Sequence, residues 1–334
     1  MPSTAEPPFV SVIMPVRNEG GRIATTLRSV LAQEYESSRL EVLVVDGRSD
    51  DDTRDVVLAT AAGDPRVRLL DNPEGIVPTA MNRGLAEARG SVIVRVDGHC
   101  ALPPDYLRRC EALLASTDAD CVGGMIESRP GGDGVVARAI ALAMASRFGT
   151  GAGFRVGRAA PGPVDTLAFG AYRRDVFDRI GTFDEELVRN QDDELNLRLT
   201  RAGGVIWMDP TLRSQYWTRA DLRGLWRQYF QYGVFKVRVA QKHRGVASWR
   251  HLAPLALVLG LAGSAGLALA ARRRWPLLLV AGPYAGATVA AAVVTGRDDA
   301  PTIVALPACF ACLQLSYGTG WLVGLWRWRR RFRA

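Results

Sequence analysis

The last quarter of the chain carries three long apolar runs, Leu252 to Ala271, Leu277 to Thr295 and Thr302 to Trp326. A helix needs about 20 such residues to cross the hydrocarbon core of a bilayer, and each run is close to that length. They are punctuated by "RRRWP" and "GRDDAP" and closed by "RWRRRFRA". Charged clusters at the ends of apolar segments suit helices whose ends meet water at a membrane surface. Residues 251–334 are therefore expected to form a membrane-embedded tail of two or three apolar segments.

The tail also holds most of the formal net charge of +8, with nine arginines against two aspartates from Leu252 onward. The first 251 residues are close to neutral, which argues against a nucleic-acid partner, since such a protein carries its basic stripe on the folded domain. "MPSTAEPPFV" has no basic segment leading into an apolar core, so no cleaved secretory signal is expected. The cysteines Cys100, Cys110, Cys121, Cys309 and Cys312 do not form a disulfide framework. Cys309 and Cys312 make a C-x-x-C, but inside an apolar span with no second ligand pair.

Ahead of the tail, apolar β-branched runs alternate with helical patterns. "FVSVIMPV", "LEVLVVD", "VRLL" and "SVIVRVD" read as strands, and "GGRIATTLRSVLAQ", "DDTRDVVLATAA" and "VPTAMNRGLAEARG" as the helices between them. This alternation predicts an α/β domain over residues 1–250 with a mostly parallel sheet covered on both faces. A ligand then sits outside the carboxyl ends of the strands. Those ends present Arg17, Asn18 and Glu19, then Asp46, then Asp97 and His99. A dinucleotide fingerprint is excluded, because "PVRNEGGR" lacks the G-x-G-x-x-G spacing and puts Glu19 where a pyrophosphate would be repelled. The Gly-rich stretch Gly149 to Val164 reads as a flexible loop beside the site.

Three constellations carry chemistry. In "VRVDGHC", Val94 to Cys100, a buried-looking strand ends on an oxygen and a nitrogen ligand, Asp97 and His99, spaced by one glycine. A divalent cation held largely by a substrate diphosphate needs only one or two protein ligands, and a histidine tilts the choice toward Mn²⁺ over Mg²⁺. A structural turn explains the motif equally well. In "RNQDDEL", Arg189 to Leu195, three acids open a helix. They favour the helix dipole, but capping requires only one, and an aspartate beside a dry cleft can deprotonate an acceptor hydroxyl. In "WRQYFQYGVFK", Trp226 to Lys236, the aromatics read as packing residues, while Arg227, Gln228, Gln231 and Lys236 are candidates to meet phosphates or the acceptor.

Taken together, these segments resemble the inverting nucleotide-sugar glycosyltransferases of family 2, which have the GT-A fold. "SVIMPVRNE" is similar to that family's first strand and loop, "VLVVDGRSDDDT" to its second-strand motif and "NPEGIVPTAMNRGLAEARG" to its asparagine-bearing helix. "VRVDGH" occupies the place of its D-x-D, "NQDDEL" that of its base segment and "RQYFQYG" that of its later Gln/Arg-rich helix. The order is kept over about residues 9 to 245, and the bacterial succinoglycan-type exopolysaccharide enzymes are the branch it resembles most.

The resemblance implies that Pro15, Arg17, Glu19, Asp46, Asn82 and Asp97 line the nucleotide-sugar site, with Asp46 at the base and Asp97 at the ribose and metal region. It further implies that Asp97 and His99 hold Mn²⁺ or Mg²⁺ and that Asp192 is the catalytic base. The donor would be a nucleoside-diphosphate sugar, with UDP preferred, and the acceptor a polyprenyl-diphosphate-linked or growing saccharide. The enzyme would face the cytoplasm from a bacterial plasma membrane. Keeping both arginine clusters on that side requires Leu252–Ala271 to lie in the interface or re-enter. His99 replaces the second Asp of D-x-D, and "RQYFQYG" departs from the Q-x-x-R-W of processive polymerases, which implies one sugar added per acceptor. A polyprenyl-phosphate glycosyltransferase and a non-catalytic nucleotide-sugar-binding scaffold are the competing readings.

Overall fold

The computed structural model describes residues 6–157, 160–246 and 248–332. Its first elements are β1 (Val10–Val16), α1 (Gly20–Leu31), β2 (Leu40–Asp46), α2 (Thr53–Gly63), β3 (Val67–Asp71), α3 (Val77–Glu87) and β4 (Val92–Arg95). There follow β5 (Cys100–Ala101), α4 (Tyr106–Ser116), β6 (Cys121–Arg129), α5 (Val135–Ala145), α6 (Gly153–Val156), β7 (Gly162–Pro163) and β8 (Ala171–Arg173). The chain continues through α7 (Asp175–Ile180), α8 (Gln191–Arg201), β9 (Ile206–Trp217), α9 (Leu222–Lys242), α10 (Ala253–Ala270), α11 (Trp275–Thr295) and α12 (Ala300–Arg327). It divides into two compact units, Met1–Glu127 with Gly157–Tyr216, and Ser128–Val156 with Trp217–Ala334. The division differs from a cut after residue 250, because α5 and α9 fall with the apolar helices.

In the first unit every residue of β1 and β2 is buried, as expected of strands covered on both faces. They pair in parallel from Val10 opposite Leu40 to Val16 opposite Asp46. β4 joins the other side of β1 in parallel, and β3 the outer side of β2. The order is β3-β2-β1-β4-β8-β6-β9-β5, with β7 also on β9. Beyond β4 the pairing turns antiparallel, at β4–β8, β6–β8 and β5–β9. Parallel neighbours need a crossover of a dozen or more residues, usually a helix. The short β7 and β8 follow one another without one, so the regular alternation read from the first half does not extend there.

The order reverses at β1, with β2 and β3 on one side and β4 on the other, which opens a crevice at the carboxyl ends of β1 and β4. The loop beginning Arg17 and the loop beginning Val96 both leave the sheet at that point. Gly84 of α3 lets the helix seat closely on β1, since a Cβ there would lie 2.4 Å from Ile13 Cγ2.

In the second unit α12 packs along α9 and against α5. Glycines bring the two backbones of α9 and α12 into contact. A Cβ at Gly320 would stand 2.2 Å from the Phe230 carbonyl oxygen and 3.1 Å from Gly233 Cα. Further along, Gln241 Nε2 donates to the Trp328 carbonyl at 3.0 Å, and the Arg238, Arg327 and Arg331 guanidiniums lie within 6 Å of the Trp328 ring. Among the described residues three helices are long and apolar enough to cross a membrane, Trp249–Ala270, Trp275–Thr295 and Ala300–Arg327, of 22, 21 and 28 residues. The first two leave large apolar side chains such as Leu269, Leu278 and Val294 exposed, as a lipid environment requires. The stretch expected as one flexible loop, Gly149 to Val164, contains α6 and β7, and its Arg158 and Ala159 lie outside the described residues.

Candidate active site

The crevice of the first unit is built from residues far apart in sequence. β1 ends at Val16, and Asn18 takes a left-handed backbone (φ 56°), a conformation asparagine tolerates better than most residues. That turn brings Glu19 to the start of α1. Across the crevice β4 ends at Arg95, and the following turn presents Asp97 and His99. The two loops meet where His99 Nδ1 and Glu19 Oε1 lie 2.8 Å apart. The His99 ring also stands edge-on to Tyr216 of β9, with centroids 4.8 Å apart. Its other nitrogen, Nε2, is buried and makes no hydrogen bond.

Arg95 joins the remaining acids. Its Nε and Nη2 both donate to Asp97 Oδ1, at 3.0 and 2.9 Å. Its Nη1 lies 3.3 Å from Asp192 Oδ2. Asp192 arrives from the first turn of α8, which follows Asn190, another left-handed residue (φ 62°). The helix is fixed to the sheet by Asn196, which accepts from the Tyr172 hydroxyl at 2.8 Å and donates to Thr166 Oγ1 and the Leu167 carbonyl. The three acids that open α8 have separate employment. Glu194 is buried and paired with Arg198 at 2.8 Å, whereas Asp192 meets Arg95 and accepts from the Asp193 backbone N–H at 2.9 Å.

The charges stabilise one another. Burial alone would raise the Asp97 carboxyl, but Arg95 and His99 hold it below the usual carboxylate range. Burial likewise works against the Arg95 cation, and Asp97 and Asp192 override it. For His99 burial opposes the imidazolium, yet Tyr216, the bond to Glu19 and the nearby Asp97 push its pKa up to about 10. The His99 ring thus lies among acids, with Glu19 on Nδ1 and Asp97 nearby.

Other residues singled out from the sequence have different surroundings. Pro15 is buried within β1. Arg17 is exposed, with Nη1 3.3 Å from the Gly75 carbonyl. The Asp46 carboxylate is fully buried, bonded to the Ser49 hydroxyl at 2.5 Å and to Arg54 Nη1 at 2.9 Å, and Arg54 reaches on to Asp71. A nucleobase can reach Asp46 only if one of these partners yields. Asn82 is committed to the chain before α8, its amide donating to the Phe183 carbonyl and Glu185 Oε1 and accepting from the Phe183 N–H, each at 2.9 Å. Arg227, Gln228, Gln231 and Lys236 belong to the second unit. There Arg227 is exposed, Lys236 is buried, and Gln228 is buried and donates to the Tyr232 hydroxyl at 3.1 Å.

Sequence reasoning passed over Arg95 and Tyr216. Arg95 did leave a signal, as the one charge in "SVIVRV", because a cation in a buried strand must find carboxylates. Tyr216 left none, since only the fold returns β9 to the end of β4.

The fold is that of a glycosyltransferase of the GT-A type. The chain belongs to glycosyl transferase family 2, whose family model matches residues 11–181. It is 31% identical over 324 residues to the succinoglycan biosynthesis protein ExoA of Rhizobium meliloti (strain 1021), covering 96% of this chain and 95% of that protein. It is 25% identical over 247 residues to a dolichyl N-acetyl-alpha-D-glucosaminyl phosphate 3-beta-D-2,3-diacetamido-2,3-dideoxy-beta-D-glucuronosyltransferase of Methanococcus voltae, covering 70% of this chain and 74% of that enzyme. Among solved structures, the mannosyltransferase PcManGT from Pyrobaculum calidifontis, in complex with GDP-Man and Mn²⁺, superposes with a TM-score of 0.62 at 21% identity. The match covers 98% of this chain and 91% of that one.

Proposed function

We propose that this glycosyltransferase moves a hexose, with inversion, from a nucleoside-diphosphate sugar to a hydroxyl of a lipid-linked or growing saccharide in exopolysaccharide or cell-envelope glycan synthesis. The observation that carries the reading is the junction at Arg95, where Asp97 at the mouth of the sheet and Asp192 on α8 share one guanidinium. An inverting displacement needs a base on the attacking hydroxyl and a charge-neutralising site on the departing diphosphate. Asp192 supplies the first, on a partly exposed side chain that an acceptor can reach. Asp97 and His99 stand where they would hold a cation that supplies the second. The Methanococcus enzyme, named for transfer to position 3 of a lipid-linked sugar, supports a hydroxyl acceptor, and the three apolar helices support one at a membrane. A bacterial plasma membrane, with the first unit on the cytoplasmic side where activated sugars are made, completes the proposal.

The residues at the crevice fit a divalent cation, Mn²⁺ or Mg²⁺, of the kind bound by PcManGT. His99 Nε2 is an orphaned buried nitrogen, and its Nδ1 partner Glu19 makes the carboxylate–histidine pair typical behind a metal-bound imidazole. No cluster of three or more His, Cys, Asp or Glu side chains among the described residues is placed to hold a metal, so diphosphate oxygens and water must complete the shell. A bound cation would neutralise charge on the leaving diphosphate. His99 would hold such a cation as the neutral ring, with Glu19 orienting it. Arg95 keeps Asp97 ionised, and Asp192 takes the acceptor proton as the glycosidic bond forms.

The test is nucleoside-diphosphate release by the detergent-purified protein across a panel of UDP- and GDP-sugars, with a lipid-linked saccharide as acceptor and with Mn²⁺, Mg²⁺ or chelator. One donor should be turned over in a metal-dependent way, and Asp192→Asn should lower kcat by about 10²- to 10⁴-fold, the usual worth of a general base. Turnover unaffected by Asp192→Asn removes the base assignment. Equal turnover with chelator removes the cation.

A further inference from the structure

We propose that Arg95 is a positioning residue of the transfer, fixing the Asp192 base against the donor-side carboxylate Asp97; the proposal rests on the reading of Asp192 given above. Arg95 closes β4 between Val94 and Val96, both fully buried, and its own side chain is only 11% exposed. A guanidinium in such a place is costly unless carboxylates compensate it. Asp97 compensates it through two N–H donors on one oxygen, and Asp192 adds a second negative charge.

The third nitrogen does something else. Nη1 is buried and makes no hydrogen bond, yet it stands 3.3 Å from Asp192 Oδ2. The two are held by charge with the donor direction off line, so Asp192 is kept in place without being locked. A base needs this arrangement, because an oxygen bound in a short, linear bond to arginine would be a poor proton acceptor. Asn196 and Tyr172 already tie α8 to the strand beside β4, and the planar fork then sets the spacing between the carboxylate at the end of β4 and the one at the start of α8. A misplacement of about 1 Å between reacting groups can lower a rate by about 10²-fold. Lysine offers one nitrogen and cannot reproduce the fork.

The experiment measures kcat, donor KM, calorimetric binding of UDP (or of GDP if the panel selects a GDP-sugar) and Tm for Arg95→Lys, Arg95→Met, Asp192→Asn and the double variant Arg95→Met/Asp192→Asn. Arg95→Met should lower kcat by about 10²-fold while donor KM and nucleotide binding stay within about threefold of wild type. Arg95→Lys should fall between the two. In the Asp192→Asn background the Arg95→Met change should add less than about threefold, because Arg95 acts through Asp192. Wild-type kcat in either Arg95 variant overturns the proposal. So does a loss that multiplies undiminished onto Asp192→Asn, or one that appears only in donor KM. If Arg95→Met does not fold, Arg95→Lys, which keeps the buried charge, decides through the same kcat-against-KM split. Failure of the base reading is separate, being read from full turnover of Asp192→Asn alone.

Discussion

Glu41 offers a measurable test of how the sheet is held. It lies on the buried strand β2 with its side chain 1% exposed, an unusual place for a carboxylate. Oε1 accepts from Ser11 Oγ at 2.6 Å and from the Arg89 backbone N–H at 2.7 Å, and Oε2 accepts from Arg89 Nε at 3.0 Å. Glu41→Gln preserves the shape and both bonds to Oε1, but sets an amide N–H against Arg89 Nε. A hydrogen bond to a charged group is worth about 1.5–3 kcal/mol. The Arg89 side chain is 67% exposed, so water screens this one toward the lower end, while weakening of the other two adds to the loss. The expected cost is about 2 kcal/mol near neutral pH, a fall in Tm of about 4–8 °C for a unit of this size.

The pH dependence follows from the direction of the Glu41 shift. Burial raises its pKa, but Ser11 and Arg89 more than reverse this, so the folded value lies below the ordinary one. Its stabilisation is complete above the unfolded glutamate pKa of about 4.3 and is lost as pH falls through the folded value. Thermal unfolding of wild type and Glu41→Gln by intrinsic fluorescence, from pH 7 down to pH 3, should show a gap that closes at the acid end. Equal Tm values at pH 7, or a gap that widens on acidification, would refute the reasoning.

Two further outcomes separate structural from catalytic roles. Asn82→Ala removes three hydrogen bonds to Phe183 and Glu185; it should cost about 2–3 kcal/mol and loosen the chain before α8, lowering kcat while calorimetric nucleotide affinity stays near wild type. A loss confined to nucleotide affinity would instead return Asn82 to the donor site. Gly320→Ala drives a Cβ to 2.2 Å from the Phe230 carbonyl, so α9 and α12 must separate. The variant should unfold at least 5 °C lower in detergent, and an unchanged Tm would contradict the close approach.

Much of the fold was legible because the physics is local. β1, β2 and β4 announce themselves as apolar runs with helical patterns between them, which implies a mostly parallel sheet with its ligand site at the carboxyl ends of the strands, whereas the reversal of strand order at β1 came from the structure. Asp97, His99 and Asp192 were singled out because strand ends in an open α/β sheet face the ligand and because three acids exceed what one helix start needs. The surroundings of Asn82 and Asp46 were not legible, since Asn82 bonds a loop about a hundred residues away and Asp46 bonds Ser49 and Arg54.

The sequence by itself determined the first four strands with the helices between them, the three apolar segments of the tail and the acids of the crevice, since each depends on periodicity or on residue type. Only the tertiary structure decided which acid of "NQDDEL" meets Arg95, that Glu19 backs His99, and that Tyr216 closes over it. Those pairings join strand ends and helix starts distant in the chain, and their strength depends on burial, which local sequence does not specify.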